Sequence, residues 1–151
     1  MTDRSRNVPT LERLVGYNLK RAYMVVQGDY RAALGDGALA PRVFSALTLV
    51  VEFPQISQSD LARRLGIERS GLVAIVGELE ERGLLERADV PGDKRVQALV
   101  ATPEGTRACN DAMARVQAHE DRLLGMLTEA ERATLIALLA KIRQAEDVQA
   151  G

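Results

Sequence analysis

The chain has one cysteine, one histidine and no tryptophan in 151 residues. A single thiol permits no intramolecular disulfide framework and supplies no set of thiolate ligands, and one imidazole excludes a histidine pair on a metal. No Ser/His/Asp or Cys/His grouping has a motif context such as a nucleophile elbow, and no glycine loop for phosphate occurs. The expectation is a non-enzyme that needs no cofactor and no metal. A run of about 18 apolar residues is also missing, and Met1 to Thr10 lacks an apolar signal core, so a soluble, cytoplasmic protein without a membrane partner is expected. An excess of positive charge is absent too: 20 Lys and Arg face 21 Asp and Glu, a net charge of −1. That balance withholds the basic footprint usually sought in a nucleic-acid binder. There is no internal repeat and no low-complexity tract. What remains is a chain with 46% hydrophobic residues, enough for one domain spanning 1–151, or for a compact part plus elements that a partner completes.

The most informative stretch is 56–100. Ser57 is an N-cap candidate with Asp60 three residues on, Leu61 and Leu65 recur at helical spacing, and Gly66 can take the left-handed conformation that ends a helix. A second helix is predicted from Glu68 to about Arg82, with Leu72, Ile75, Val76 and Leu79 on its buried face and Gly83 as its stop. The opposite stripe holds Ser70, Ala74, Gly77 and Glu81, flanked by Val73 and Glu78, so its first half carries no bulk. Arg69 and Ser70 stand at the positive end of the helix dipole, where a phosphate or a base edge can be met. Leu84 to Asp89 then reads as a strand, Val90-Pro91-Gly92-Asp93 as a type II turn and Arg95 to Val100 as the returning strand. Asp93 and Arg95 share one side of the extended chain, which lets the carboxylate hold the guanidinium outward from the hairpin tip, a geometry suited to a minor groove. Within this segment seven basic residues face eight acidic ones, so position has to do what total charge does not.

Ser57-Gln58-Ser59-Asp60-Leu61-Ala62, Gly66-Ile67-Glu68-Arg69-Ser70, Leu79-Glu80-Glu81-Arg82-Gly83-Leu84, Asp93-Lys94-Arg95 and Leu99-Val100-Ala101-Thr102-Pro103-Glu104-Gly105 occur in one order. In that order and spacing the chain resembles the MarR (multiple-antibiotic-resistance regulator) family, over nearly its whole length. The resemblance implies a mainly α fold of six helices with a winged helix-turn-helix and a two-stranded β-wing, dimerised through its N- and C-terminal helices. It further implies a homodimeric regulator of transcription, usually a repressor, that binds a double-stranded DNA operator and is released by a small ligand. The expected DNA-contacting positions are Ser57, Gln58, Arg69, Ser70, Gly71, Val73, Ala74, Asp93, Lys94 and Arg95. Two departures stand out: family members commonly carry Thr where this chain has Gly71, and often a polar or basic residue where it has Ala74. Direct base reading by hydrogen bonds is thereby reduced.

Around this centre, 41–100 is expected as the DNA-binding part, with 10–34 and 103–147 as dimerisation helices. A long helix is predicted from Pro9-Thr10 to about Leu34, weakened by Gly16 and Gly28, and another from Pro41 to about Glu52. Thr102-Pro103-Glu104 starts a fifth helix reaching about Gly125, and Thr128 to Glu131 is a capping box for the sixth. The last helix carries Leu135, Ile136, Leu138, Leu139 and Ile142, an apolar face with no partner left in so small a body, which argues for a dimer. Tyr17, Arg21, Phe44 and Met113 are the candidate ligand-binding residues; the resemblance implies an aromatic acid or its thioester as the effector, and ring walls with a cation suit that chemistry. His119 reads as a surface or interface residue, and Cys109 as a small buried hydrophobe. Two rivals are kept: a winged-helix protein-interaction module without DNA binding, and a redox-sensing repressor working through Cys109.

Overall fold

The computed structural model describes residues 9–149, except for the side chains of 94–96 and 147–149. A short 3-10 turn over Thr10–Arg13 precedes α1 (Val15–Leu34), α2 (Pro41–Glu52), β1 (Ile56–Ser57), α3 (Gln58–Leu65), α4 (Arg69–Glu81), β2 (Leu85–Val90), β3 (Asp93–Ala101), α5 (Pro103–Leu123) and α6 (Glu129–Gln149). The six expected helices are all present. The first begins later than its apolar pattern suggests, because Leu14 is extended and separates the 3-10 turn from α1.

The sheet has three strands where two were expected, in the order β1-β3-β2 and antiparallel throughout. Ile56 and Ser57 pair with Leu99 and Ala98. Two residues have too little period to announce a strand, and the pairing depends on Gln55, whose left-handed backbone (φ 68°) lets its N–H donate to the Leu99 carbonyl at 3.1 Å. This third strand ties the wing to the start of α3. At the wing tip, Val90 pairs with Asp93 across Pro91-Gly92, and Gly92 has the positive φ (90°) that the second central residue of a type II turn requires.

One apolar core lies between α2, α3, α4 and the base of the wing. Leu47, Leu61, Leu72, Leu79 and Leu99 are its largest fully buried members, with Cys109 of α5 closing one side. The four apolar residues predicted for the inner face of α4 are its four buried residues. Helix ends follow their chemistry. The Ser57 hydroxyl accepts the Asp60 N–H at 3.1 Å, Gly66 ends α3 in the left-handed conformation, and at Thr128 the two bonds of a capping box are both made. The Thr128 backbone N–H, donated to the Glu131 carboxylate at 3.0 Å, and secondarily the Thr128 hydroxyl hold that carboxyl below the usual glutamate range.

His119 corrects the sequence reading. It is 1% exposed, with Nδ1 2.8 Å from the Asp29 carboxylate and its ring edge-on to Tyr30. The contact to Asp29 is close but lacks the direction of a hydrogen bond, and Nε2 has no protein partner. The imidazole therefore serves as packing between α1 and α5, beside the ion pair of Arg122 with the same carboxylate (3.4 Å).

α1 and α6 contribute little to the core. Of the 20 residues of α1 only Tyr30 and Leu34 are buried, and α6 buries none of its described side chains. Leu14, Val15, Tyr23, Met24 and Val25 stand exposed near or on the first helix, as do Leu135, Ile136, Leu138 and Ile142 on the last. Leu135 faces a recess of about 310 Å³ that it lines with Val15, Asn18, Leu19 and Ala22. The apolar surface at the two chain ends is thus adjacent and uncovered.

Candidate nucleic-acid interface

The geometry of a reading head follows from how α4 is held. Its inner face packs on the core, the Gly66-Ile67 turn from α3 sets its start, and its N-cap, Glu68, makes no side-chain bond to the first-turn N–H groups. Gly83 (φ 70°) stops it, with the Leu84 N–H bonded to the Leu79 carbonyl, and β2 begins two residues later. The stripe pointing away from the core is the one predicted. Arg69, Ser70, Val73 and Ala74 are exposed, and Gly71 and Gly77 are half-buried. Ser57 is half-buried and its hydroxyl is occupied as the cap of α3, while Gln58 opens that helix, also half-buried. The wing tip at Pro91, Gly92 and Asp93 is exposed. The predicted bracing by Asp93 depends on the Arg95 side chain, which, like that of Lys94, lies outside the described residues.

Electrostatics in this part are more selective than the total charge. Arg63 is bonded to Asp60 at 2.7 Å, Arg82 lies 3.6 Å from Glu78 and donates to the Gly37 carbonyl, and Arg87 is bonded to Glu80 at 2.6 Å. Arg64 lies 4.0 Å over the Phe53 ring. The pairs on Glu78 and Glu80 offset two carboxylates in the second half of α4 within the protein, and Glu81 stays exposed at the end of the stripe far from Arg69 and Ser70.

A joint connects this head to α5. Thr102 caps α5, accepting the Gly105 N–H at 2.9 Å and donating to the Gly83 carbonyl at 2.7 Å, while its own N–H bonds the Leu84 carbonyl at 3.1 Å. Gly105 lies so close to Leu84 that a Cβ there would be driven into that same carbonyl oxygen. The sequence showed Thr102-Pro103 as a helix start but gave no reason for Gly105; only the packing of helix on backbone does.

The residues expected to hold a ligand sit on three elements. Tyr17 is half-buried and Arg21 exposed on α1, Phe44 is half-buried on α2, and Met113 is half-buried on α5. α1 and α2 both pack on α5. Cys109, buried on α5, has its sulfur 3.6 Å from the Thr48 hydroxyl. Among the described residues no group of three or more His, Cys, Asp or Glu side chains is placed to hold a metal, and no helix is long and apolar enough to cross a membrane.

Comparison with known proteins agrees with this frame. Residues 39–96, the head from the start of α2 into β3, match the MarR family profile. A candidate transcriptional regulatory protein for the hcr operon of Thauera aromatica is 31% identical over 129 residues, 85% of this chain and 78% of that protein. Among solved structures, the transcriptional repressor CouR bound to a 23-mer DNA duplex is 36% identical with a TM-score of 0.84, over 91% of this chain and 99% of that one. CouR from Rhodococcus jostii RHA1 bound to p-coumaroyl-CoA is 32% identical with a TM-score of 0.76, over 91% and 94%. The head, its wing and the long flanking helices recur together in these relatives, and the chain belongs to the MarR family of winged-helix transcriptional regulators.

Proposed function

We propose that the protein is a homodimeric, ligand-responsive repressor that binds a double-stranded DNA operator in the cytoplasm, with no cofactor. The observation that carries the reading is the bare, exposed first half of the α4 stripe, held beside a protruding wing. A helix with its side chains is about as wide as a major groove, so a stripe of Ser70, Ala74 and Gly77 admits close approach. In this arrangement Arg69 and Ser70 bear on phosphates and base edges, and Val73 and Ala74 on thymine methyls. Gly71, Ser57 and Gln58 lie along the backbone path. Arg95, oriented by Asp93 and flanked by Lys94, enters the minor groove at the wing. The apolar faces of α1 and α6 supply the dimer contact.

The effector proposed is an aromatic acid or its coenzyme A thioester, held near Tyr17, Arg21, Phe44 and Met113. The CouR relative with bound p-coumaroyl-CoA supports the class, and half-buried rings beside a cation suit its chemistry. Since α1 and α2 pack on α5, and α5 is pinned to the wing through Thr102, a ligand that reseats these helices would change how the two heads are spaced. The test is a titration of the protein–DNA complex with phenolic acids and their thioesters. Release by at least one anionic aromatic, retained in Cys109→Ser, is the expected result. No release by any anionic aromatic would contradict the aromatic effector, and an oxidant response that disappears in Cys109→Ser would put a redox signal in its place.

A further inference from the structure

The first turn of α2 places a cation against the reading helix. Arg42 is exposed, and its Nη2 lies 4.0 Å from where a Cβ would stand on Gly71. Its chain lines, with Ser45, Leu65, Ile67 and Ile75, a recess of about 150 Å³ between α2 and the α3–α4 turn. Among the described arginines of the head, Arg63, Arg82 and Arg87 are paired with carboxylates and Arg64 is stacked on Phe53. Arg42 and Arg69 have no such partner among the described residues.

Position on the helix decides what Arg42 would meet. Successive residues are roughly 100° apart, so Gly71 lies about a quarter-turn from the Ser70-Ala74 stripe, on the flank. When that stripe faces the floor of a major groove, the flank faces its sugar-phosphate wall, because helix and groove are of similar width. At Gly71 the helix itself offers that wall no side chain. We infer that Arg42 is a further DNA-contacting residue, a phosphate contact delivered from α2 into the space that Gly71 leaves. The inference rests on the DNA-binding reading above. It assigns to Arg42 a contribution to affinity that is indifferent to base sequence, and it accounts for how a near-neutral head can still be attracted to a duplex at this flank. An apolar recess beneath the stem lets the methylenes pack while the guanidinium stays in water until phosphate replaces it.

The experiment measures duplex affinity against salt for wild type, Arg42→Gln, Arg42→Lys and Arg69→Gln, using the highest-affinity operator fragment and a scrambled duplex. Arg42→Gln is expected to weaken both duplexes by about the same factor, roughly tenfold at moderate salt. Its logarithmic salt slope should be flatter by about two for a dimer that loses two cations. Arg42→Lys should recover most of the slope. Gly71→Thr should weaken binding when Arg42 is present and have little effect in Arg42→Gln, since its side chain would occupy the guanidinium's place. Thermal unfolding, unchanged for an exposed Arg42, separates a contact from a folding defect. An unaltered slope in Arg42→Gln, alongside a flattened one in Arg69→Gln, would overturn the inference and leave the DNA-binding reading standing. A wild type that binds no duplex at low salt would overturn both.

Discussion

The double substitution Leu138→Glu, Ile142→Glu is expected to give a monomer at micromolar concentration and to weaken operator binding by at least a hundredfold. Both side chains are exposed on α6, none of whose described side chains is buried, and together with Leu135 they recur at helical spacing on one face. Each large aliphatic side chain removed from water contributes about 1.5 to 3 kcal/mol, so two carboxylates in its place reverse the sign of the interface. Loss of the dimer separates the two reading heads. The second half-site then ceases to bind intramolecularly, and an avidity of roughly 10² to 10⁴ is lost without any change at the DNA surface. Sedimentation and operator titration check the two effects independently. A variant that stays dimeric, with unchanged affinity, would move the dimer contact away from α6.

Gly105→Ala is expected to lower stability by about 3 kcal/mol, from one added methyl group. The Cβ would enter the Leu84 carbonyl, which already accepts the Thr102 N–H, so neither backbone can yield without breaking the cap of α5 or the start of β2. Gly77→Ala is the control. Nothing lies near a Cβ at that position, in the middle of α4, so it should gain about 0.5 to 1 kcal/mol from helix propensity. Denaturant titrations of the two variants should therefore move in opposite directions from wild type. Equal midpoints for wild type and Gly105→Ala would show that the joint between head and α5 is loose, contrary to the packing seen.

The parts of this fold governed by local rules were legible in the sequence. Ser57, Gly66, Gly83 and Thr128 mark helix ends because each satisfies or frees particular backbone groups, and Leu72, Ile75, Val76 and Leu79 mark a buried face by spacing alone. The α4 stripe followed from the same arithmetic. What escaped depends on contacts distant along the chain. β1 exists because Gln55 turns and Leu99 accepts its bond, forty-odd residues away in sequence. His119 looked polar and therefore exterior, but Asp29 and Tyr30 enclose it from α1. Arg42 carried no signal in its own helix, since its significance comes from Gly71 across the packing of α2 on α4. The reason for Gly105 likewise lies in Leu84, on the far side of the hairpin.

The central claim is that two copies of α4, held in one dimer, read duplex DNA through the Ser70-Ala74 stripe. It is tested most directly by incubating the purified protein with fragments of its own genome and sequencing what is retained. The expected result is enrichment of a two-fold symmetric sequence with half-sites about one helical turn, or a multiple of it, apart. Retention without any common sequence, or none above background at low salt, would contradict it and favour a winged-helix module that binds protein instead.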